Sequence, residues 1–140
     1  MNILAIDTST DLCSISLFLK DKIVDTLEKE KVISHSKILA PNVDLIMKKN
    51  NFEISNLSLI LLSIGPGSYS GLRVSSSFTK GLAFSIKKPI YAINTLEAMA
   101  HNINDKNNYY VALYSHRNYA FFQEYYNFQK VDKQYCSEIK

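Results

Sequence analysis

The sequence predicts an α/β fold with a mixed sheet of five strands and helices beside it. Two alternating apolar strands occupy the first nineteen residues, and residues 57–64 form a near-continuous apolar run. Such a run is typical of a central strand that is covered on both faces. Between the predicted strands, apolar residues recur at helical spacing. With 46% hydrophobic and 21% charged residues in a chain of 140, a substantial core is expected.

The predicted elements follow one another without internal repeats. We expect strands over residues 3–6, 13–19 and 23–27, a helix over 36–50, a strand over 57–64, a helix over 69–86, a strand over 90–93 and a helix over 96–101 that Thr95 caps. The order β-β-β-α-β-α-β-α is the ribonuclease H-like layout, one lobe of the actin-like ATPase superfamily.

The chain divides at a polar segment, N-I-N-D-K-N-N, which predicts a linker after Asn102. We assign residues 1–103 to the ribonuclease H-like lobe and residues 104–140 to the linker and a partial second lobe. Strands over residues 109–114 and 119–125 would form at best a hairpin, which is marginal alone in water. Their aromatic side chains would then form an exposed apolar patch. A shortened gene product and a trimmed chain both fit this organisation.

A glycine-rich turn marks the end of the predicted fourth strand. Gly65-Pro66-Gly67 is followed by Ser68, which can cap the next helix. Free amide groups at such a helix start can hold an anion. Asp7, Thr8 and Ser9 end the first strand, so a weak anion or nucleotide contact is predicted for Asp7, Thr8, Ser9, Gly65, Gly67 and Ser68. The alternative is that both segments are only tight connections.

Four motifs in order carry a family resemblance over about residues 1–126. They are I-D-T-S-T near the start, His35-Ser36 followed by Leu39 and Pro41, G-P-G-S-Y-S-G-L-R, and T-L-E-A-M-A. Together they resemble the TsaB (YeaZ) family, the non-catalytic partner subunits of the bacterial tRNA threonylcarbamoyladenosine synthase. The resemblance implies a scaffolding subunit that binds and activates a TsaD-type catalytic subunit. That subunit would modify adenosine 37 of tRNA, and a TsaE-type ATPase would belong to the same system.

The resemblance also implies a partner interface on the first two long helices, with a second copy or with the catalytic subunit. Candidate interface residues are Leu39, Val43 and Ile46 on the first helix and Ser76, Lys80 and Gly81 on the second. Gly81 in mid-helix costs about 0.5–1 kcal/mol relative to alanine, which close approach of another element would offset. The alternative is that the apolar stripe covers this chain's own sheet.

No residue set in the sequence predicts catalysis or a metal site. Asp7 has no neighbouring acid cluster of the kind a nuclease needs, and His35 lacks a paired histidine. ATP and metal are therefore expected on partner subunits. The alternative function is a small ATP-dependent transferase or a metallopeptidase-like enzyme of the glycoprotease superfamily.

The charge and hydropathy patterns exclude further classes. No apolar run approaches the roughly twenty residues of a membrane span, and no signal pattern opens the chain, so a cytoplasmic protein is expected. Cys13 and Cys136 fit neither a disulfide framework nor a zinc site. The net charge of +3 comes from scattered lysines. With no basic stripe interleaved with aromatic residues, contact with tRNA is expected to be only indirect.

Overall fold

A computed structural model describes residues 1–139 of the chain. It contains strands in two sheets, three α-helices and one 3₁₀ turn (Ile54–Asn56). The elements are β1 (Asn2–Asp7), β2 (Cys13–Leu19), β3 (Lys22–Lys29), α1 (His35–Lys49), β4 (Leu59–Ser63), α2 (Tyr69–Ile86), β5 (Ile90–Ile93), α3 (Thr95–Ala100), β6 (Tyr109–Tyr114), β7 (Tyr119–Tyr126), β8 (Gln129–Lys130) and β9 (Tyr135–Glu138).

The first sheet has five strands in the order β3-β2-β1-β4-β5. Strands β1, β2 and β3 form an antiparallel meander, whereas β4 and β5 run parallel to β1. The β2–β3 turn passes through Lys20 and Asp21, both with positive φ. This arrangement confirms the predicted fold class. It also places the ends of β1 and β4 side by side, which brings the two polar loops of the sequence together.

Helices α1 and α2 pack against the first sheet and against each other. Leu39, Val43 and Ile46 are only 1%, 3% and 0% exposed, in one core cluster with Leu4, Ile15 and Ile60. These three residues therefore cover this chain's own sheet, and their part in a partner interface stays a prediction. No helix in the described part of the chain is both long enough and apolar enough to cross a bilayer.

The second sheet is larger than the predicted hairpin. Strands β6 and β7 pair as expected, but β8 and β9 both pair with β7 and complete a four-stranded sheet. The short polar sequences of β8 and β9 gave no strand pattern. Helix α3 covers one face, where Leu96 and Ala100 pack on Val111, Leu113 and Tyr125. The prediction that Thr95 caps α3 is wrong. The cap is Asn94, whose side-chain oxygen accepts hydrogen bonds from the Leu96 and Glu97 amides.

Candidate functional site

The loop after β1 and the turn after β4 are joined by direct hydrogen bonds. The Ser68 amide donates to the Ser9 carbonyl at 2.6 Å, and the Thr8 hydroxyl donates to the Gly71 carbonyl at 2.8 Å. A Cβ at Gly67 would overlap the Ser9 carbonyl oxygen, and one at Gly71 would overlap the Thr8 carbonyl oxygen. Glycine at these two positions therefore allows the first turn of α2 to lie against the β1 loop.

The predicted anion-binding groups lie together, but several of them have partners within the chain. The Asp7 carboxylate accepts the Ser9 amide at 2.7 Å, and the Ser68 hydroxyl accepts the Gly71 amide at 3.3 Å. Thr8 and Ser9 are almost fully buried. Gly65 has a φ of 105° and packs near the Leu72 side chain. The hydrogen bonds are those of a tight connection, and an anion or nucleotide contact here stays a prediction.

His35 fixes the start of α1 against the same junction. Its Nε2 atom lies 2.9 Å from the Thr10 carbonyl oxygen, so Nε2 carries the proton. The side chain is buried, and its Cδ2 atom would lie 3.2 Å from a Cβ at Gly71. His35 therefore anchors the start of α1 to the loop after β1.

Titratable groups near the junction do not form a ligand set. Burial, followed by the nearby Asp7 charge, raises the pKa of the Cys13 thiol. Within residues 1–139, no three His, Cys, Asp or Glu side chains come close enough together to hold a metal ion. The Asp7 carboxylate is the acid nearest this junction, and its Oδ1 atom accepts the Ser9 amide.

The remaining candidate interface residues lie on different sides of α2. Lys80 and Gly81 are exposed and Ser76 is partly exposed. Successive helical residues differ by about 100°, so Ser76 and Gly81 are about 140° apart around the axis. Ser77 lines a depression beside α1 and Gly81 follows it by one turn, whereas neither Ser76 nor Lys80 lines a depression with α1. The six candidate interface residues of α1 and α2 therefore do not form one continuous exposed surface.

A groove runs between α1 and α2, and most of its lining residues are not among the interface residues predicted from the sequence. It consists of two adjoining depressions of about 500 and 380 Å³ that share Ala40 and Phe78. Leu39 and Val43 contribute only to its floor. We call this whole surface the helix groove. Its other lining residues are Ser36, Asp44, Met47, Lys48, Asn51, Phe52, Glu53, Ile54, Arg73, Val74 and Ser77. Ala40, a short residue within the amphipathic pattern of α1, was the available sequence signal.

Comparison with known proteins identifies the family. The family model described as TsaD, tRNA N6-adenosine threonylcarbamoyltransferase, matches residues 29–135. The tRNA threonylcarbamoyladenosine biosynthesis protein TsaB of Buchnera aphidicola subsp. Baizongia pistaciae (strain Bp) is 34% identical over 102 residues, which are 72% of this chain and 46% of that protein. TsaB of Bacillus subtilis (strain 168) is 35% identical, over 73% of this chain and 44% of that protein.

A solved structure has the same fold. YeaZ from Pseudomonas aeruginosa superposes with a TM-score of 0.84 at 21% identity, covering 96% of this chain and 66% of that chain. The chain spans about half the length of the curated relatives it matches. With the family model matching most of its length, the chain belongs to the TsaD family, and its relatives place it among the TsaB (YeaZ) members.

Proposed function

We propose that this chain acts in tRNA threonylcarbamoyladenosine biosynthesis as a non-catalytic subunit that binds and activates a TsaD-type catalytic subunit. The names of its curated relatives support the pathway. The helix groove is the single observation that supports a binding role. A cytoplasmic location and a shared system with a TsaE-type ATPase belong to the same proposal, as does the binding of ATP and metal by those partners.

The helix groove suits a helical partner because it combines an apolar floor with short side chains on both helices. Ala40 on α1 and Ser77 on α2 are exposed and short, so a partner backbone can approach closely. Phe78 adds apolar surface between the helices, and the charges of Asp44 and Arg73 stand at the edges. An interface with an apolar centre and a polar rim is the usual arrangement of a specific protein complex.

Gly81 extends this surface by one turn. A Cβ built on it has no atom of this chain within 4 Å, so nothing inside the chain offsets its low helix propensity. Close approach of a partner helix would provide that offset. The subunit would then act through shape, by completing an interface that holds the catalytic subunit in an active conformation.

The experiment is a calorimetric titration of the full chain with a TsaD-type subunit, which measures the affinity of the complex. Gly81→Leu should lower the affinity about five- to 150-fold, from an overpacking cost of about 1–3 kcal/mol. Ala40→Glu should also weaken binding because it places a charge in the groove. Ala112→Glu, the same change at an exposed position of β6, is the matched control.

The result that would contradict the proposal is unchanged affinity for both groove variants when both fold normally. Sedimentation of the chain alone measures its oligomeric state and tests the same surface in a second way. A homodimer that Gly81→Leu dissociates would show that the groove binds a second copy. We expect such a homodimer to be weaker than the complex with the catalytic subunit.

An enzyme remains the alternative, because the matching family model is described as a transferase. In that case the purified chain would bind ATP or a metal ion with better than millimolar affinity. We expect neither hydrolysis of ATP nor modification of tRNA by the isolated chain. Turnover that disappears in Asp7→Asn would establish the alternative and place the reaction at the β1 loop.

A further inference from the structure

A second surface lies at the C-terminal end of α2, next to Gly81, and its depression shares no lining residue with the helix groove. Phe84 is 87% exposed there, a large apolar area to leave in water on a helix. It lines a depression of about 630 Å³ together with Lys80, Lys87 and Lys88. We call these four residues the basic patch. The sequence shows its lysines as scattered, and the turn at the end of α2 brings them around one aromatic ring.

Local backbone geometry holds the basic patch together. Lys80 and Phe84 are four residues apart, so they are neighbours on one face of α2. At the helix end Lys87 adopts a left-handed conformation with a φ of 54°, and its amide donates to the Phe84 carbonyl at 3.3 Å. The Lys88 amide donates to the Ala83 carbonyl at 3.0 Å. The backbone of the two lysines is thereby held at the helix end, and their side chains line the same depression as Phe84.

The charge of the basic patch is not neutralised locally. Residues 54–96 contain no aspartate or glutamate, whereas they contain Arg73 and the three patch lysines. Lys48, Lys49 and Lys130 all form ion pairs, but the patch lysines form none with the described residues. Lysines at a helix C-terminus also stabilise the helix dipole. That role accounts for Lys87 and Lys88, but not for Lys80 or for the exposure of Phe84.

We propose that the basic patch binds single-stranded nucleic acid directly, with an unpaired base stacked on Phe84 and the neighbouring phosphates on the three lysines. Base stacking on an exposed aromatic ring with lysines tracking the backbone is the general mode of single-strand recognition. A duplex offers phosphates but no free base face. This function goes beyond partner binding and replaces the expectation of purely indirect contact with tRNA.

The test measures fluorescence anisotropy of labelled U12 RNA and dT12 DNA with the full chain and no partner subunit. Phe84→Ala should weaken binding about five- to 150-fold, which corresponds to about 1–3 kcal/mol of lost stacking. Phe84→Tyr should retain affinity, whereas Phe84→Leu should behave as Phe84→Ala. Three phosphate contacts predict a slope of log affinity against log salt of about −2, and Lys87→Gln/Lys88→Gln should reduce its magnitude by about 1.4.

Lys20→Gln/Lys22→Gln is the matched control, because it removes two exposed charges at the β2–β3 turn. Whichever of the two oligonucleotides binds more tightly identifies the ligand as RNA or DNA. The proposal is overturned if neither binds, if the control weakens binding as much as the patch variant, or if a duplex binds as well as a single strand. Binding of poly-glutamate that Phe84→Leu leaves unchanged would indicate an acidic protein partner instead. The patch variants should still bind a TsaD-type subunit with unchanged affinity. The nucleic-acid proposal can then fail or succeed independently of the proposal for the helix groove.

Discussion

The two sheets of this chain are stabilised to very different extents. Among residues 1–139, the first sheet and helices α1 and α2 share a core cluster of thirteen buried residues, whereas the second sheet and α3 share five. The second cluster depends on one six-residue helix. Its polar links are the Lys130–Glu97 ion pair at 3.2 Å and the hydrogen bond from Asn94 to Gln134 at 2.8 Å. Because buried apolar area is the main stabilising term, we expect the second sheet to open first.

The two cysteines give the largest expected contrast, since each belongs to one sheet. Cys13 is buried in β2 and the pKa of its thiol is raised, so reactive thiolate is scarce, whereas Cys136 is exposed on β9. Modification by a thiol reagent should be about a thousandfold or more slower at Cys13, because its exposure requires opening of the first core. Mass spectrometry over time, with Cys136→Ser as the control, measures both rates. Similar rates would show that the core of the first sheet opens freely, contrary to the stability expected for it.

Truncation of one core residue in each sheet tests the comparison directly. Ile60→Ala in β4 should reduce the free energy of unfolding by about 2–5 kcal/mol, because Ile60 is fully buried in the first core. Leu113→Ala in β6 should leave the main unfolding transition nearly unchanged and should accelerate hydrogen exchange only over Tyr109–Tyr126. Thermal unfolding combined with exchange mass spectrometry distinguishes these outcomes. A cooperative loss of both sheets in Leu113→Ala would mean that they unfold as one unit.

Two glycines of α2 offer a matched pair within the first sheet's layer. Gly71→Ala should destabilise the protein by about 1–3 kcal/mol or more, because its Cβ would overlap the Thr8 carbonyl oxygen. Gly81→Ala should stabilise it by about 0.5–1 kcal/mol, because the site is open and alanine favours the helix. Denaturant midpoints of both variants provide the measurement. Equal effects would mean that α2 does not lie against the β1 loop as described.

The smallest effect is expected at the ion pair between Asp25 in β3 and Lys49 in α1, with atoms 2.9 Å apart. The hydrogen bond from Lys49, followed by that from Asn50, lowers the pKa of the Asp25 carboxyl. A lowered pKa means that the folded state releases the proton more readily. The resulting stability is therefore fully present above about pH 4 and is lost as the pH falls further.

Asp25→Asn should make the unfolding midpoint less dependent on pH below about pH 4, where the wild-type carboxyl loses its ion pair. Glu97→Gln is the comparison variant, because it removes the half-exposed ion pair with Lys130 near the second sheet. It should alter the pH dependence of the unfolding midpoint less than Asp25→Asn does. Thermal unfolding at each pH tests the two variants. A larger effect at Glu97 would indicate that the second sheet relies on charge where the first does not.

The sequence predicted the first sheet well because its signals are local and strong. The apolar run of β4 and the helical spacing of α2 gave both elements nearly at their observed bounds. The second sheet was underestimated, because the two residues of β8 and the exposed β9 have no apolar pattern and exist only through pairing with β7. The boundary after residue 103 and the anion contact at Asp7 stay predictions.

By itself, the sequence determined the fold class, the family and the glycine-rich turn before α2, because periodicity and motifs are set by residues close together in the chain. Only the tertiary structure decided which faces of the helices are free. Leu39, Val43 and Ile46 have the same pattern whether they bind a partner or a sheet, and their burial shows that they pack on this chain's own sheet. The tertiary structure also brought Lys80, Lys87 and Lys88 around Phe84, since a helix and the reversal at its end convert separations along the chain into proximity in space.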